Sequence, residues 1–381
     1  MLFLDHVGVL GGAELCLLDV ALHHANSGKV LLLADGPFRE RLERAEVSVE
    51  VLSISPAVSS IRREGGRKQD LRAVPSVLQV SWRVARIARG YDVLYANSQK
   101  ALIVGALAGK IAGKPVIWHL HDILTADHFS RTHRRLAIAV GNLLVSRVVA
   151  NSRATAEAFA ESGGRVERVR VVYNGIDPTP FRSVVQAEMD NLRRELGLVG
   201  VPVVSVFSRL APWKGQHVLL EALARLPGVH ALLVGAPLFD EDDYVKDLRQ
   251  RAKALDVADR VHFLGFRPDV PSLMRLSDIV VHTSVAPEPF GRVIVEGMLA
   301  LRPVVAARAG GSGEIVDDGV SGVLVEPGDA NALAAALAGL LVNPAKAQAL
   351  AETGYKMALE RFSLRSMLED VDQQMQQVLA Q

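Results

Sequence analysis

The segment V-V-S-V-F-S-R-L-A-P-W-K-G-Q-H-V-L-L-E-A-L-A-R-L (203–226) shows the pattern that decides the fold. Its first five residues are mostly apolar and predict a buried strand, whereas the apolar spacing after residue 215 predicts a helix. Short apolar runs alternate with helical patterns in the same way along both halves of the chain. This alternation is typical of βαβ units and parallel sheets.

Thirteen apolar runs are predicted strands, seven in the first half and six in the second. They are 2–5, 29–34, 49–53, 92–96, 115–119, 148–151 and 170–173, followed by 203–207, 230–235, 261–264, 278–283, 303–306 and 322–325. Each set is long enough for a doubly wound sheet, whose ligands lie at the carboxyl ends of the strands. The predicted fold is therefore α/β, with two Rossmann-like domains facing across a cleft.

The predicted domain borders follow from the turn formers N-G-I-D-P-T-P-F (174–181) and the polar helical stretch after them. The first domain is expected at 1–177, a hinge at 178–200 and the second domain at 201–363. The last segment, 364–381, has a helical pattern and is expected to pack back on the first domain.

Length and composition favour an ordinary globular protein with two domains. The chain has 381 residues, of which 49% are hydrophobic and 22% charged, enough to bury a large core. No apolar run reaches the ~18 residues that span a bilayer, and the N-terminus lacks a signal-peptide pattern, so the cytoplasm is the expected location. The single cysteine, Cys16, is predicted to be a small buried hydrophobe.

The charge is unevenly distributed. Residues 1–178 hold 23 Lys and Arg against 17 Asp and Glu, whereas the rest hold 20 against 25. The basic segments 61–72, 82–89 and 131–135 are either solvated helix faces or a surface for an acidic acceptor or an anionic membrane, so peripheral contact at the inner membrane face is an open expectation. Nucleic acid is not an expected partner, because aromatics are only 5% and no binding motif is present.

The stretch E-P-F-G-R-V-I-V-E (288–296) places two carboxylates eight residues apart across a turn and a predicted helix start. Glu288 is expected in the loop, and Glu296 about two turns, roughly 10 Å, inside the helix. A sugar, a diphosphate and a ribose in a row would fill such a site, since a helix start favours anions. The alternative is an amphipathic helix with a solvated Glu296.

Two cations stand in the loop S-R-L-A-P-W-K-G (208–215). Arg209 can bind two oxygens and Lys214 acts as a point charge, a pair that suits a diphosphate. Such a pair also serves solubility in many strand-to-helix loops, so it gains weight only together with Glu288 and Glu296.

Two glycine loops follow predicted strands, A-G-G-S-G-E (309–314) and V-L-G-G-A-E (9–14), and their backbone N–H groups could contact a ligand. A tight turn is the alternative. Neither loop is a G-x-G-x-x-G or a G-x-x-x-x-G-K-[ST] motif, which argues against a dehydrogenase and an ATPase.

The segment I-W-H-L-H-D (117–122) ends a predicted strand with two histidines and an aspartate. His121 is either structural or functional, and a metal site with His119 would need a third ligand, of which none stands at a suitable local spacing. The acidic run at 240–243 is predicted to be a solvated loop rather than a metal site.

Taken together, these motifs resemble family 4 of the retaining nucleotide-sugar glycosyltransferases, whose two-Rossmann architecture is called GT-B. The resemblance rests on motifs that occur in the family's order over nearly the whole chain. They are G-G-A-E (11–14), H-D (121–122), N-S (151–152), N-G-I-D (174–177), S-R-L-x-x-x-K-G (208–215), F-L-G (263–265), E-P-F-G-x-x-x-x-E (288–296) and G-G-x-x-E-I-V-x-D-G-x-x-G (310–322).

The resemblance implies roles for these residues. Glu288 would contact the donor sugar, Glu296 the ribose, Arg209 and Lys214 the diphosphate, Gly12 the donor phosphate, and His121 the sugar near the reacting carbon. The catalytic residues would then be His121, Glu288, Arg209 and Lys214, and further donor contacts are expected at Gly11, Phe290, Gly291, Gly310 and Gly311. No metal and no cofactor are implied.

The expected reaction is transfer of a hexose from a UDP- or GDP-linked donor to a hydroxyl of a sugar or lipid-linked sugar, with retention, in cell-surface polysaccharide or glycolipid assembly. The alternatives are a nucleotide-sugar 2-epimerase of the same architecture and a non-catalytic nucleotide-sugar binding subunit. The sequence departs from the family pattern at Leu301, where a glycine is common, and strand one starts close to Met1.

Overall fold

The computed structural model of the chain describes residues 1–52, 67–125, 129–238 and 241–380. The chain forms two compact units, Met1–Gly175 with Leu364–Gln381, and Ile176–Ser363. The segment predicted as a hinge, 178–200, lies within the second unit and contains the helices Thr179–Arg182 and Gln186–Glu195.

All thirteen predicted strands are present, with ends that shift by at most two residues. In chain order β1 to β13 are Leu2–Asp5, Lys29–Leu32, Val49–Val51, Leu94–Ala96, Val116–Leu120, Arg147–Ala150, Val169–Val171, Val203–Phe207, His230–Val234, Val261–Gly265, Ile279–His282, Val304–Ala307 and Val323–Val325.

Helices connect the strands on both sides of each sheet. In chain order they are Gly12–His23, Pro37–Arg44, Arg67–Ala88, Gln99–Ala112, Arg131–Leu144, Arg153–Glu161, Thr179–Arg182, Gln186–Glu195, Gln216–Leu223, Asp242–Ala254, Val270–Leu276, Arg292–Leu299, Ser312–Ile315, Ala330–Leu341, Pro344–Arg361 and Leu364–Leu379.

Both sheets are parallel and doubly wound, which confirms the predicted fold class. The first has the order β3-β2-β1-β4-β5-β6-β7 and the second the order β10-β9-β8-β11-β12-β13. In each sheet the direction of winding reverses once, between β1 and β4 in the first and between β8 and β11 in the second. Ligands of such sheets bind at this reversal, beyond the carboxyl ends of the strands.

The first sheet is buried on both faces, as expected of a parallel sheet. Side chains alternate along β1, so that Leu2 and Leu4 enter one core and Phe3 enters the other. The C-terminal helix Leu364–Leu379 covers the second of these faces, where its Met367 and Val371 are buried. The end of the chain therefore belongs to the first unit.

The helix Arg292–Leu299 ends without the glycine common in the family. Leu301 adopts the left-handed conformation that a glycine usually takes after a helix, with φ at +56°. Its N–H donates to Met298 O, and Arg302 N–H donates to Gly297 O. The helix end therefore keeps its hydrogen bonds at the cost of a strained leucine.

Within the described ranges no single helix is long and apolar enough to cross a bilayer. Two consecutive helices, Ala330–Leu341 and Pro344–Arg361, reach the required length and hydropathy only when taken together, and the angle between them is 102°.

Candidate active site

Lys214 and Glu288 form a largely buried ion pair at the winding reversal of the second sheet. The loop after β8 carries Lys214 at the end of a short 3-10 turn, and the loop after β11 carries Glu288. Nζ of Lys214 lies 2.7 Å from Oε1 and 2.6 Å from Oε2 of Glu288. The two side chains are only 15% and 13% exposed. Two predicted site residues are thus direct partners.

The Glu288 carboxylate has further donors. The Ser284 hydroxyl donates to it at 2.9 Å, and His282 Nε2 lies 3.4 Å from the same oxygen. Burial alone would raise the pKa of Glu288, but the charge of Lys214 and the hydrogen bond from His282 lower the pKa well below its ordinary value. Glu288 is therefore an anion at any physiological pH.

Backbone contacts fix the loop after β8 against the loop after β11. The Thr283 hydroxyl donates to Lys214 O at 2.8 Å, and Val285 N–H donates to Trp213 O. Gly215 has φ at +69°, and a Cβ there would lie 2.1 Å from Thr283 O. Only glycine permits this approach, so Gly215 holds Lys214 in place.

The glycine loop after β12 joins the same site. Glu288 N–H donates to Ala309 O, and Gly311 N–H donates to Glu288 O at 2.7 Å. A Cβ on Gly311 would lie 2.6 Å from Pro289 O, and Gly310 has φ at +64°. Three loops from adjacent strands therefore meet around Glu288, as the strand-end positions predicted.

Glu296 lies nearer the helix start than predicted. The helix begins at Arg292, after Gly291 with φ at +98°, so Glu296 is its fifth residue, about 6 Å along the axis. The prediction of two turns was wrong, because only four residues separate Glu296 from the first helical residue, which is little more than one turn. Burial raises the pKa of Glu296, although Arg292, 3.6 Å away, opposes the shift. The solvated alternative does not hold, since Glu296 is 18% exposed.

Phe290 stands in the E-P-F-G motif but its side chain is in the core. It is 2% exposed and packs edge to face against Phe362 at 5.6 Å. A donor contact by this residue can therefore come only from its backbone.

Arg209 forms an ion pair with Glu241, a residue of the acidic run at 240–243. Arg209 Nε lies 3.3 Å from Glu241 Oε2, and Glu241 is 20% exposed. Asp242 and Asp243 begin a helix, where anions are favoured. The prediction of a solvated loop was therefore wrong for Glu241, which is largely covered, and half right for Asp242 and Asp243, which are exposed but begin a helix. Residue 240 lies outside the described residues. Trp213 faces both cations of the loop, with Lys214 Nζ at 4.1 Å and Arg209 at 5.9 Å from its ring.

In the first unit, His121 follows β5 and is held by Asn97, which follows β4. His121 Nε2 lies 2.9 Å from Asn97 Oδ1. Asn97 Nδ2 donates to Asp5 Oδ2 at 2.8 Å and to Ala13 O at 3.2 Å. Because both of those partners are acceptors, the Asn97 oxygen must face His121, whose Nε2 therefore carries a proton.

Asp5 is the anion at the base of this chain of contacts. Burial favours its neutral form, but hydrogen bonds from His6 and Asn97 and the charge of His6 outweigh burial and lower the pKa of Asp5. Nδ1 of His121 is buried. Neither ring nitrogen is therefore open to a substrate proton in this arrangement.

Gly11 and Gly12 lie at the start of the helix that follows β1. Gly11 is the extended residue before the helix, and Gly12 is its first residue. The buried Glu14 of the same G-G-A-E motif folds back toward Gly11. Burial, with a smaller contribution from Asp5, raises the pKa of Glu14 to about 8.

His119 is fully buried, and the structure brings it a neighbour that sequence spacing did not show. Its Nδ1 lies 2.6 Å from the Tyr95 hydroxyl. Cys16, buried as predicted, lies close enough to His119 and His121 that one ligand atom of each falls within 4.8 Å of the others. This third potential ligand is about a hundred residues away in sequence, so local spacing could not reveal it.

Sequence reasoning missed five polar or aromatic neighbours of the predicted residues: Asn97 and Asp5 in the first unit, and Trp213, Ser284 and Glu241 in the second. Asn97 and Asp5 could have been found, because each is a polar residue at the carboxyl end of a predicted strand next to the winding reversal. Glu241 could not, since its helix position and its pairing depend on tertiary structure.

Two protein-family models match this chain, one in each half. The family model described as Glycosyltransferase Family 4 matches residues 10–179, and the model described as Glycosyl transferases group 1 matches residues 188–357. Between them they cover nearly the whole chain, one in each half.

A solved relative matches along the full length. Crystal structures of Anabaena Alr3699/HepE, one in complex with UDP and glucose and one with UDP-glucose, superpose with a TM-score of 0.91. Sequence identity is 44% and 43%, and 99% of each chain is covered.

Curated relatives match over shorter stretches. The lipopolysaccharide core biosynthesis glycosyltransferase LpsE of Rhizobium meliloti is 31% identical over 57% of this chain, and a D-inositol 3-phosphate glycosyltransferase of Mycobacterium marinum is 38% identical over 45%. The matches span 60% and 36% of the length of those two relatives. From the paired family models and the full-length match, the chain belongs to family 4 of the nucleotide-sugar glycosyltransferases, with the GT-B architecture.

Proposed function

We propose that this protein transfers a hexose from a UDP-linked donor to an acceptor hydroxyl, with retention of the anomeric configuration and without a metal ion. The observation that carries the proposal is the buried Lys214–Glu288 pair at the winding reversal of the second sheet. A cation and an anion held there, among backbone N–H groups of a glycine loop, match a diphosphate and a hydroxyl-bearing sugar side by side.

The donor assignment rests on two supports. The binding loop combines two cations with Glu296 on the adjoining helix, which suits a diphosphate and a ribose. The Anabaena relative, 43% identical over 99% of this chain, was crystallised with UDP-glucose. UDP-glucose is therefore the first donor to test, with GDP-linked sugars as the second choice.

Lys214 would contact both parts of the donor. An ammonium has three N–H groups, and in the free protein two oxygens of Glu288 accept from it. On donor binding, Lys214 would donate one or more of its N–H groups to the diphosphate instead of to Glu288. Arg209 would bind phosphate oxygens in place of Glu241. Glu288, released in part, would accept hydrogen bonds from sugar hydroxyls.

Retention is supported by the state of His121. An inverting enzyme needs a general base behind the sugar, and His121 and Asp122 are the strand-end candidates. Nε2 of His121 is engaged with Asn97 and Nδ1 is buried, while Asp122 accepts from Gln99 at 3.2 Å. The departing diphosphate would then accept the acceptor's proton on the face from which it leaves.

Metal independence is supported by the charges of the loop. Lys214, Arg209 and the N–H groups at Gly310 and Gly311 can offset the charge that develops on the leaving diphosphate. In the nearby acidic run, Glu241 and Asp243 already pair with Arg209 and Lys246.

The acceptor is proposed to be a sugar or lipid-linked sugar of a cell-surface polysaccharide or glycolipid, as the name of the Rhizobium meliloti relative suggests.

Peripheral contact with an anionic membrane is part of this proposal. Val74, Leu78 and Trp82 lie four residues apart on the helix Arg67–Ala88, and each is about half exposed. Arg86 stacks on Trp82 at 5.0 Å. Exposed apolar side chains beside arginines suit an anionic lipid surface, while residues 61–66 of the first basic segment lie outside the described residues.

The test is a thermal-shift screen over UDP, GDP and ADP and their glucose conjugates, followed by an assay of UDP release with a membrane lipid extract, in excess EDTA. A ligand at 100 times its dissociation constant adds ~2.7 kcal/mol. UDP release with a labelled lipid product in EDTA is expected. A new nucleotide sugar without a transfer product would indicate the epimerase, and binding without turnover would indicate the non-catalytic subunit.

A further inference from the structure

The end of the first helix and the C-terminal helix meet in a cluster of two histidines and one aspartate, far from Lys214 in sequence and not used by the proposed reaction. His23 is the last residue of the helix Gly12–His23, His24 follows it, and Asp372 lies on Leu364–Leu379. The helix stops at His23, so the two adjacent rings can turn to the same side, where they stand edge to face at 4.9 Å.

All three side chains bring potential ligand atoms close together, with each histidine facing one oxygen of the aspartate. His23 Nε2 lies 2.9 Å from Asp372 Oδ2, and His24 Nε2 lies 3.0 Å from Asp372 Oδ1. The three ligand atoms fall within 4.8 Å of one another. Around a tetrahedral zinc ion with bonds of 2.0–2.1 Å, neighbouring ligand atoms are about 3.3 Å apart. The two histidine–aspartate distances are within a few tenths of an ångström of this spacing, and the two histidine nitrogens lie within 4.8 Å of each other.

Hydrogen bonding explains only half of this arrangement. His23 and Asp372 form a hydrogen bond at 2.9 Å. His24 Nε2 and Asp372 Oδ1 lie 3.0 Å apart, and both atoms are buried and form no hydrogen bond of regular geometry within the described part of the chain. Buried polar atoms are rarely left without partners, and a shared cation would satisfy both.

We propose that His23, His24 and Asp372 bind a divalent transition-metal ion of the zinc class. Two imidazoles and one carboxylate are a known ligand set for zinc, with water in the fourth position. The side chains are 40%, 13% and 30% exposed, so an ion can reach the site from solvent. Burial lowers the pKa of His24 more than Asp372 raises it, and a neutral imidazole is the form that binds metal.

The bound ion would fasten the C-terminal helix to the first helix. These two helices are joined across 349 residues of chain, and a metal clip between distant segments stabilises the folded state by mass action. The site is expected to regulate stability, and it does not depend on the proposed transfer reaction.

The probe is zinc chloride added to metal-free protein, with affinity read by competition against a chromophoric chelator and stability read as the Tm. One zinc ion per chain and a rise of several degrees in the Tm are expected. Loss of a residue that only hydrogen-bonds to a metal ligand lowers metal affinity about 10- to 100-fold. Because His23 and Asp372 are proposed as ligands themselves, His23→Ala and Asp372→Asn should each weaken zinc binding at least that much. Asp372→Asn preserves shape and so separates a lost ligand from misfolding.

Cys16→Ala is the matched control, because Cys16 belongs to the other group of potential ligands, with His119 and His121. It should leave zinc affinity and the Tm shift unchanged. Zinc binding that is lost in Cys16→Ala and kept in the other two variants would overturn the proposal, as would a Tm that zinc does not change.

Discussion

Lys214 and Glu288 are 74 residues apart in sequence, yet the Lys214 ammonium lies within 2.7 Å of both carboxylate oxygens of Glu288. The cation proposed for the diphosphate and the anion proposed for the sugar therefore neutralise each other before any donor binds. Because each charge compensates the other, the pairing offsets the desolvation cost of holding both charges largely out of water. It also means that each residue positions the other, so that a change in one alters the pKa and the orientation of its partner.

Lys214→Ala and Arg209→Ala are each expected to weaken UDP binding by about 10- to 100-fold, because a charge-assisted hydrogen bond contributes about 1.5–3 kcal/mol. Isothermal titration with UDP measures this directly. Lys246→Ala is the matched control, since Lys246 is 72% exposed and pairs with Asp243, three residues before it on the same helix. Lys214→Ala also leaves Glu288 buried without its counter-charge, so Lys214→Ala/Glu288→Gln should regain stability without regaining affinity. Full UDP affinity in both single variants would remove the diphosphate from this loop.

Substitutions of Glu288 and Glu296 are expected to change different kinetic constants. Glu288→Gln should lower kcat about 10- to 100-fold through misplacement of the sugar, and Glu296→Ala should mainly raise the KM for the donor through lost ribose contacts. Steady-state kinetics with UDP-glucose separates these effects. Parent values of kcat and KM in both variants would contradict the assignment of the E-P-F-G-x-x-x-x-E motif.

Much of the fold was predictable from sequence, because runs such as Val203–Phe207 combine apolar and β-branched residues between turn formers. Glu288 and Lys214 were predictable as site residues from their strand-end positions. Their direct pairing was not, since it depends on β8 and β11 being neighbours in the sheet. The depth of Glu296 was mispredicted because the helix begins only at Arg292, four residues before Glu296, whereas the prediction placed Glu296 two turns inside it.

Asn97 is expected to act as a positioning residue for His121. Asn97→Ala should lower kcat about tenfold or more while the donor KM stays near the parent value, and His121→Ala should lower kcat further. Because Asn97 acts through His121, the double variant should be no slower than His121→Ala alone. Asn142→Ala, which removes a surface amide that donates to Gly163 O, should be neutral. Additive losses in the double variant would show that Asn97 acts independently of His121.

Glu14 is expected to make stability depend on pH. The folded protein holds the Glu14 proton up to a pKa of about 8, whereas the unfolded chain releases it near the ordinary value of 4.5. Between these values the folded state binds more protons, so the free energy of unfolding falls as pH rises, by up to about 1.4 kcal/mol per pH unit. Glu14→Gln removes this dependence.

Urea unfolding at pH 5 and pH 8.5 tests the effect of Glu14. The variant and the parent should be similar at pH 5, and Glu14→Gln should be the more stable at pH 8.5. The opposite order at pH 8.5, or an equal difference at both pH values, would show that Glu14 is ionised in the folded protein at neutral pH.

The central claim is retaining transfer of glucose from UDP-glucose, and NMR of the product tests it most directly. The protein is incubated in EDTA with UDP-glucose labelled with ¹³C at the anomeric carbon and with a membrane lipid extract as the acceptor pool. The one-bond carbon–proton coupling at the labelled carbon then distinguishes α from β linkage in the product. An α-linked product is predicted, because the donor is α-linked and His121 offers no free nitrogen to act as a base. A β-linked product would contradict the account and assign the role of general base to His121 or Asp122.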